Sequence, residues 1–349
     1  MRITNRQLTS TYLYNANKSL ENYSKQNEKI ASGRAFTRIS ENVSVSKKAL
    51  QTRLASYRNE QYQENVDGAL EQVTTAETSL MTINDQVQSV QEMALRAVNG
   101  TNTDETTREV FIATLEETKE GMLNSLNQKH LDKYILGGTN NREVPFRTDE
   151  DGNLLFNGVN VDDITMDENG RYIDAKGEEV QLSRDTYIDI GYGLTMNGDS
   201  FDETSVIKIS FSGVKWTGHG MGEITYTDKE GYEVTEEVPN NVFQIINEMQ
   251  DALAENDTER LGALNSHLTE QYDNLLTGIA ELGVKSNRLE TAKSKLQDEA
   301  VNLDGMQQNY EGIEDTDEIV LMEEYKYSWL LTLQFGSSVL PQSLMEYVR

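Results

Sequence analysis

"LGALNSHLTEQYDNLLTGIAELGVKSNRLETAKSKLQDEAVNL" fills residues 261–303, and leucine returns at every seventh place: Leu261, Leu268, Leu275, Leu282, Leu289, Leu296 and Leu303. A seven-residue apolar repeat holds one narrow seam against a partner helix over many turns. At 1.5 Å per residue, such a segment makes a rod on the order of 60 Å long. One seam cannot bury itself, so a partner with the same grammar is needed. Val73, Ala76, Leu80, Ile83, Val87, Val90, Ala94 and Ala97 step by three and four in the same way, and so do Leu13, Ala16, Leu20, Tyr23, Asn27 and Ile30. A coiled coil and an ordinary helical bundle both satisfy this spacing.

Proline and glycine divide the chain. Pro145, Pro239 and Pro341 leave residues 1–144 and 240–340 free of proline, so both stretches can be helical. Residues 1–136 hold 4 glycines, 137–240 hold 14 and 241–349 hold 6. The middle segment has four Asp-x-x-Gly turns, at Asp149–Gly152, Asp167–Gly170, Asp174–Gly177 and Asp228–Gly231. Asp opens a tight turn and Gly takes the positive φ that closes it. Alternating runs such as "SVIKISFSGVKW" lie between them. The predicted fold class is mainly α with a β-rich insert: N- and C-terminal arms form a long antiparallel coiled-coil rod that carries a small outward-facing β domain. The boundaries read as an N-terminal arm (1–40), one half of the rod (41–144), the β-rich domain (145–240), the other half of the rod (241–310) and a C-terminal arm (311–349).

Charge narrows the function. With 31 basic against 59 acidic residues the chain carries −28, which argues against nucleic acid and anionic membrane as partners. The glycine-rich segment 137–240 has 8 basic and 22 acidic residues and reads as solvent-exposed rather than packed in a core. There is no cysteine, hence no disulfide and no thiolate chemistry. His130, His219 and His267 lack ligand spacing, and "GHGMG" at 218–222 reads as a turn because no phosphate-loop or nucleophile-elbow signature accompanies it. "DEDGN" and "DENGR" lack the oxygen ladder of a calcium loop. No catalytic, cofactor-binding or metal-ligating residue is assigned, and no cofactor is expected.

The ends carry the remaining signal. Residues 1–58 hold 11 basic and 3 acidic residues, whereas 304–324 hold 8 acids and no base, so the two arms attract each other within one chain or between neighbours. The last stretch, "VLPQSLMEYVR" (339–349), is unusually apolar for a free end. The start, "MRITNRQLTS", lacks the apolar core of a secretory signal.

Four stretches, in order, resemble the flagellin superfamily and in particular its hook–filament junction branch. "KIASGRAFTRISENVSVSKKAL" (29–50) is similar to the turn and helix near the start of flagellins, with Ser32, Gly33, Arg34, Arg38 and Ser40 matching, although Ile39–Val43 departs from the family's proline-bounded turn. "YILGGTNNREVPF" (134–146) resembles a stretch that flagellins proper do not usually carry. "GVKSNRLE" (283–290), with Asn287 and Arg288, is similar to the shared C-terminal helix, and 313–349 resembles the junction branch's own ending. The resemblance covers both arms.

It implies a structural, non-enzymatic subunit joining hook to filament, exported without a cleaved signal peptide through the flagellar type III apparatus. The implied partners are other copies in a ring on the hook tip, an adjacent hook-associated protein, flagellin and an export chaperone. The arms are expected to be disordered in the free monomer. On this reading the leucine seam, with Leu80 and Val87, holds the rod. Leu13, Leu20 and Ile30 form the N-terminal assembly face, and Ile319, Met322, Trp329, Leu333, Leu340 and Leu344 the C-terminal one. Filament flagellin and a cytosolic acidic coiled-coil binding module are the alternatives.

Overall fold

A computed structural model describes residues 2–99, 104–138, 140–150, 152–167, 172–178, 180, 186–193, 195–197, 200–202, 205–229 and 231–339. Its helices are α1 (Arg2–Ser32), α2 (Val43–Val98), α3 (Glu105–Leu126), α4 (Gly213–Thr217), α5 (Val242–Ala254), α6 (Thr258–Glu311) and α7 (Asp315–Val339). The chain divides into two compact units, Met1–Gln61 with Gln297–Arg349, and Tyr62–Leu296. Helices α2 and α6 run through both.

In the Tyr62–Leu296 unit, α2 and α6 are antiparallel partners. Gln63 Nε2 donates to the Leu296 carbonyl (3.4 Å), Lys293 pairs with Asp67 (2.9 Å), Gln88 Nε2 donates to Tyr272 Oη (2.7 Å) and Gln91 Nε2 to Thr269 Oγ1 (3.2 Å). Each step forward along α2 is a step back along α6. Between them Leu261, Leu268, Leu275, Leu282, Leu289 and Leu296 meet Val73, Ala76, Leu80, Ile83, Val87 and Val90, all buried. These side chains share one connected apolar core, to which each buried leucine contributes about 1.5–3 kcal/mol.

The rod differs from its expected outline in two places. Residues 41–144 are not one helical stretch: α2 stops at Val98, α3 ends at Leu126, and a short hairpin of Lys129–His130 with Lys133–Tyr134 follows. The run "NGTNT" (99–103) supplies the turn residues that end α2. Residues 241–310 likewise split, because Asn256 takes φ +52° between α5 and α6. Asn tolerates that left-handed conformation better than most residues. Helix α5 buries Val242, Phe243, Ile245, Ile246, Met249 and Leu253 and packs against α3, where buried Lys119 reaches Gln250 (2.9 Å) and Glu116 (2.7 Å).

The strands are short and antiparallel. Phe146–Thr148, Leu154–Phe156 and Val159–Asn160 form a three-stranded sheet, Tyr187–Asp189 pairs with Val206–Lys208, and Met221–Thr227 pairs with Glu233–Pro239. Three of the four Asp-x-x-Gly turns share one geometry. In each, the glycine N–H donates to the Asp carbonyl (2.9–3.3 Å), and the next residue's N–H donates to the Asp side chain (2.7–2.8 Å). Gly152, Gly177 and Gly231 have φ of +85°, +77° and +91°. The fourth, Asp167–Gly170, lies partly outside the described residues.

The insert does not face solvent on all sides, as its charge had implied. Phe146, Phe156, Phe211 and Trp216 are buried, and Trp216 lies on α6 where a Cβ at Gly278 would come within 2.5 Å of its ring. Lys215 and Trp216 Nε1 both bind Glu281, whose carboxyl is held below the usual range by Lys215 despite its partial burial. An aromatic core thus faces the rod, and of the acidic residues Glu236 pairs with Arg260 on α6 (2.7 Å).

Candidate assembly surface

The other unit begins with α1, which ends in a C-cap built on Gly33. The Gly33 N–H donates to the Ile30 carbonyl and the Arg34 N–H to the Lys29 carbonyl, both at 3.3 Å, with Gly33 at φ +65°. This double bond pattern with a left-handed glycine is a standard helix stop, and any other residue there costs about 1 kcal/mol. It explains why "SGR" occurs at 32–34. Ser32 Oγ donates to the Lys29 carbonyl (3.2 Å), and Arg34 bridges Gly312 across the unit. Ala35 N–H donates to the Glu311 carbonyl (2.8 Å), while the buried Glu311 carboxylate binds Arg53. Arg38 precedes a 3-10 turn at Ile39–Glu41, and Asn42 then caps α2, its Oδ1 accepting from Val45 N–H (3.2 Å). Asn287 and Arg288 lie on α6 in the Tyr62–Leu296 unit, Asn287 exposed and Arg288 half-buried.

The two terminal helices pair with each other. Tyr23 stacks on Trp329 at 6.1 Å with rings 2° from parallel, Ser19 meets Ser328 (3.4 Å), and buried Gln26 donates to the Glu318 carbonyl (3.0 Å) and to its carboxylate. A Cβ at Gly336 would fall 2.1 Å from Tyr12 Oη. The contact is therefore antiparallel. Its seam on α1 runs through Tyr12, Ala16, Ser19, Tyr23, Gln26 and Ile30, and on α7 through Glu318, Met322, Tyr325, Trp329, Thr332 and Gly336, all at least half-buried.

This corrects the register read from the sequence. Ala16, Tyr23 and Ile30 are in the seam, but Leu13, Leu20 and Asn27 each fall one residue beyond it and are exposed. A helix with two overlapping heptad patterns takes whichever its partner accepts, and here Ser328 and Gly336 admit Ser19 and Tyr12. Of the proposed assembly residues, Ile30, Met322 and Trp329 are spent within the chain. Leu13, Leu20, Ile319 and Leu333 are 44–50% exposed. In an antiparallel pair the positions just past the seam on both helices share one flank, so these four line one side of the hairpin. Leu340 and Leu344 lie outside the described residues.

The unit's packing is unusual. Among the described residues its buried apolar side chains are Ala49 and Leu303, yet it exposes more large apolar side chains than the longer unit does. Sequence reading missed a further part of this surface: Val43, Leu50, Leu54 and Tyr57 form an exposed stripe on α2. Their four-and-three spacing, continued through Lys47, was the available signal.

The other sequence features serve the fold. His219 Nδ1 is 3.0 Å from the Ile164 carbonyl and its ring meets Tyr172 edge-on, while His267 Nε2 is 3.1 Å from the Pro239 carbonyl. Within "GHGMG", a Cβ on Gly218 would lie 2.1 Å from the Asn240 carbonyl oxygen. His130 lies beside Glu71 (3.4 Å). Among the described residues no cluster of His, Asp and Glu could hold a metal, and no helix is long and apolar enough to cross a membrane.

Residues 3–135 match the family model of the bacterial flagellin N-terminal helical region. A flagellar hook-associated protein of Vibrio parahaemolyticus superposes with a TM-score of 0.57 at 15% identity, covering 78% of this chain and 100% of that one. Flagellar hook-associated protein 3 of Legionella pneumophila gives 0.53 at 12% identity, covering 74% and 98%. FlgL of Xanthomonas campestris gives 0.52 at 14%, covering 74% and 99%. The chain has the fold of the flagellar hook-associated proteins. No curated protein matches it in sequence. In the hook-associated fold seen here, the leucine-seamed rod and its insert form one unit, and the paired terminal helices belong to the other.

Proposed function

We propose that this chain is a structural, non-enzymatic subunit of a bacterial flagellum, placed between the hook and the flagellin filament. The observation that carries the reading is the unit formed by the two ends, which among the described residues buries two apolar side chains and exposes many. A monomer gains nothing from such an arrangement, whereas a polymer buries it. The hook-associated fold and the flagellin N-terminal region support the same reading. Partners on this reading are further copies of the chain in a ring on the hook tip, an adjacent hook-associated protein and flagellin. Export runs through the flagellar type III apparatus without a cleaved signal, with a chaperone covering the apolar ends beforehand. Their order in the free chain is bought only on assembly, so the ends are disordered before it.

Electron microscopy of cells lacking the protein tests this directly. Bare hooks, with flagellin shed into the medium, are expected, and removing residues 330–349 reproduces that phenotype. Normal filaments in either strain overturn the assignment. Intact hooks lacking only filament subunits made by this chain would instead identify it as filament flagellin.

A further inference from the structure

The beginning of α2 is built inside out. The side it turns inward, through Val45, Ala49, Thr52, Ser56 and Asn59, is mostly polar. The opposite side carries Val43, Leu50, Leu54 and Tyr57, which are 52–66% exposed. A surface helix ordinarily does the reverse. Exposed Lys47 and Arg58 rim this outward stripe, and residues 43–61 hold four basic side chains against Glu60 alone.

A match exists on the same unit. The outward side of α7 carries Val320, Tyr327 and Leu330, 49–64% exposed, rimmed by exposed Asp317 and Glu324. Residues 315–335 hold five acids against Lys326 alone. Both faces are open to solvent, so they do not cover each other within one molecule. Two copies of the α2 stripe, each rimmed by Lys47 and Arg58, would repel, which disfavours a symmetric contact of this stripe with itself.

Resting on the assembly reading above, we propose that the α2 stripe of one copy receives the outward face of α7 from a second copy. Repeated head to tail from copy to copy, such a contact builds a ring or a helix.

The chain has no cysteine, so single cysteines report only the designed contact. Cells expressing Leu54→Cys and Tyr327→Cys chains together are oxidised mildly, and their sheared flagella are run on a non-reducing gel. A disulfide-linked dimer is expected from the mixture and from neither variant alone. Adding Lys47→Glu and Arg58→Glu to the Leu54→Cys chain should cut the yield at least tenfold. Adding Asp317→Lys and Glu324→Lys to the other chain should restore it. Leu50→Cys with Leu330→Cys serves as a second pair if either first variant fails to reach flagella. Sheared flagella that contain both chains without a cross-link overturn the proposal, and so does a link formed equally well by one variant alone. If the wild-type chain is missing from sheared flagella, the assembly reading itself fails. The same cysteine pairs are then mixed as purified full chains at high concentration, where absence of a link again overturns the contact.

Discussion

Gly278 is a glycine that the helix needs for its neighbour and not for its backbone. It sits inside α6, where Ala in place of Gly ordinarily stabilises by about 0.5–1 kcal/mol. Here the Trp216 ring occupies the space a Cβ would take, at 2.5 Å. Gly278→Ala must therefore push Trp216 off its seat, against Phe211 at 6.1 Å and Glu281 at 3.3 Å. The expected result is a loss of about 1–3 kcal/mol, the usual cost of overpacking. Gly262→Ala, on the same helix with nothing within 4 Å, should raise stability by about 0.5–1 kcal/mol. Thermal unfolding by circular dichroism reads both, and a Gly278→Ala melting point at or above wild type would show that Trp216 does not rest there. Neither role is legible in the sequence, because both glycines occur in the same leucine repeat and differ only in what faces them.

At the scale of elements, the two helix pairs of the chain are chemically opposite. Six leucines close the α2–α6 seam in one unit, whereas Ser19, Gln26, Glu318 and Thr332 interrupt the α1–α7 seam in the other. Isolated helix pairs owe their order to apolar burial, and a polar seam offsets little of the conformational entropy lost. Backbone amides of α1 and α7 should therefore exchange with deuterium orders of magnitude faster in the free chain than those of α2 within 66–97 and α6 within 261–296. Mass-spectrometric exchange decides it, and equal protection of the two pairs would remove the case for ends completed by neighbours. The same contrast explains what could be read beforehand. The leucine seam was legible because its period admits one register, and the hairpins because Asp and Gly have fixed positions in their turns. In α1 the spacing favours Leu13 and Leu20 as the more apolar choice, and only Ser328 and Gly336 of α7 select Ser19 and Tyr12 instead. The α2 stripe is not legible in the same way, because its apolar side faces outward and periodicity alone does not say which side is in.

Charge separates the two units of the molecule as sharply as packing does. Of 31 basic and 59 acidic residues, the unit made by the two ends holds 13 and 15, leaving 18 and 44 for Tyr62–Leu296. One unit is nearly neutral and exposes many large apolar side chains, and the other carries almost all of the −28. Net charge keeps a protein dispersed, and near-neutral apolar surface drives association. A single chain thus combines a part suited to polymer contact with a part that stays solvated when polymerised. The connected apolar core lies entirely within Tyr62–Leu296, from Val66 to Leu296. A fragment of residues 62–296 should accordingly fold by itself, unfold cooperatively within a few degrees of the full chain's main transition, and sediment as a monomer up to high concentration. The full chain under the same conditions should associate more as salt rises, because screening weakens the repulsion between the acidic units while leaving apolar burial intact. An unfolded fragment would mean that the ends contribute to the core. A fragment that self-associates like the full chain would move the polymerising surface away from α1, α2 and α7.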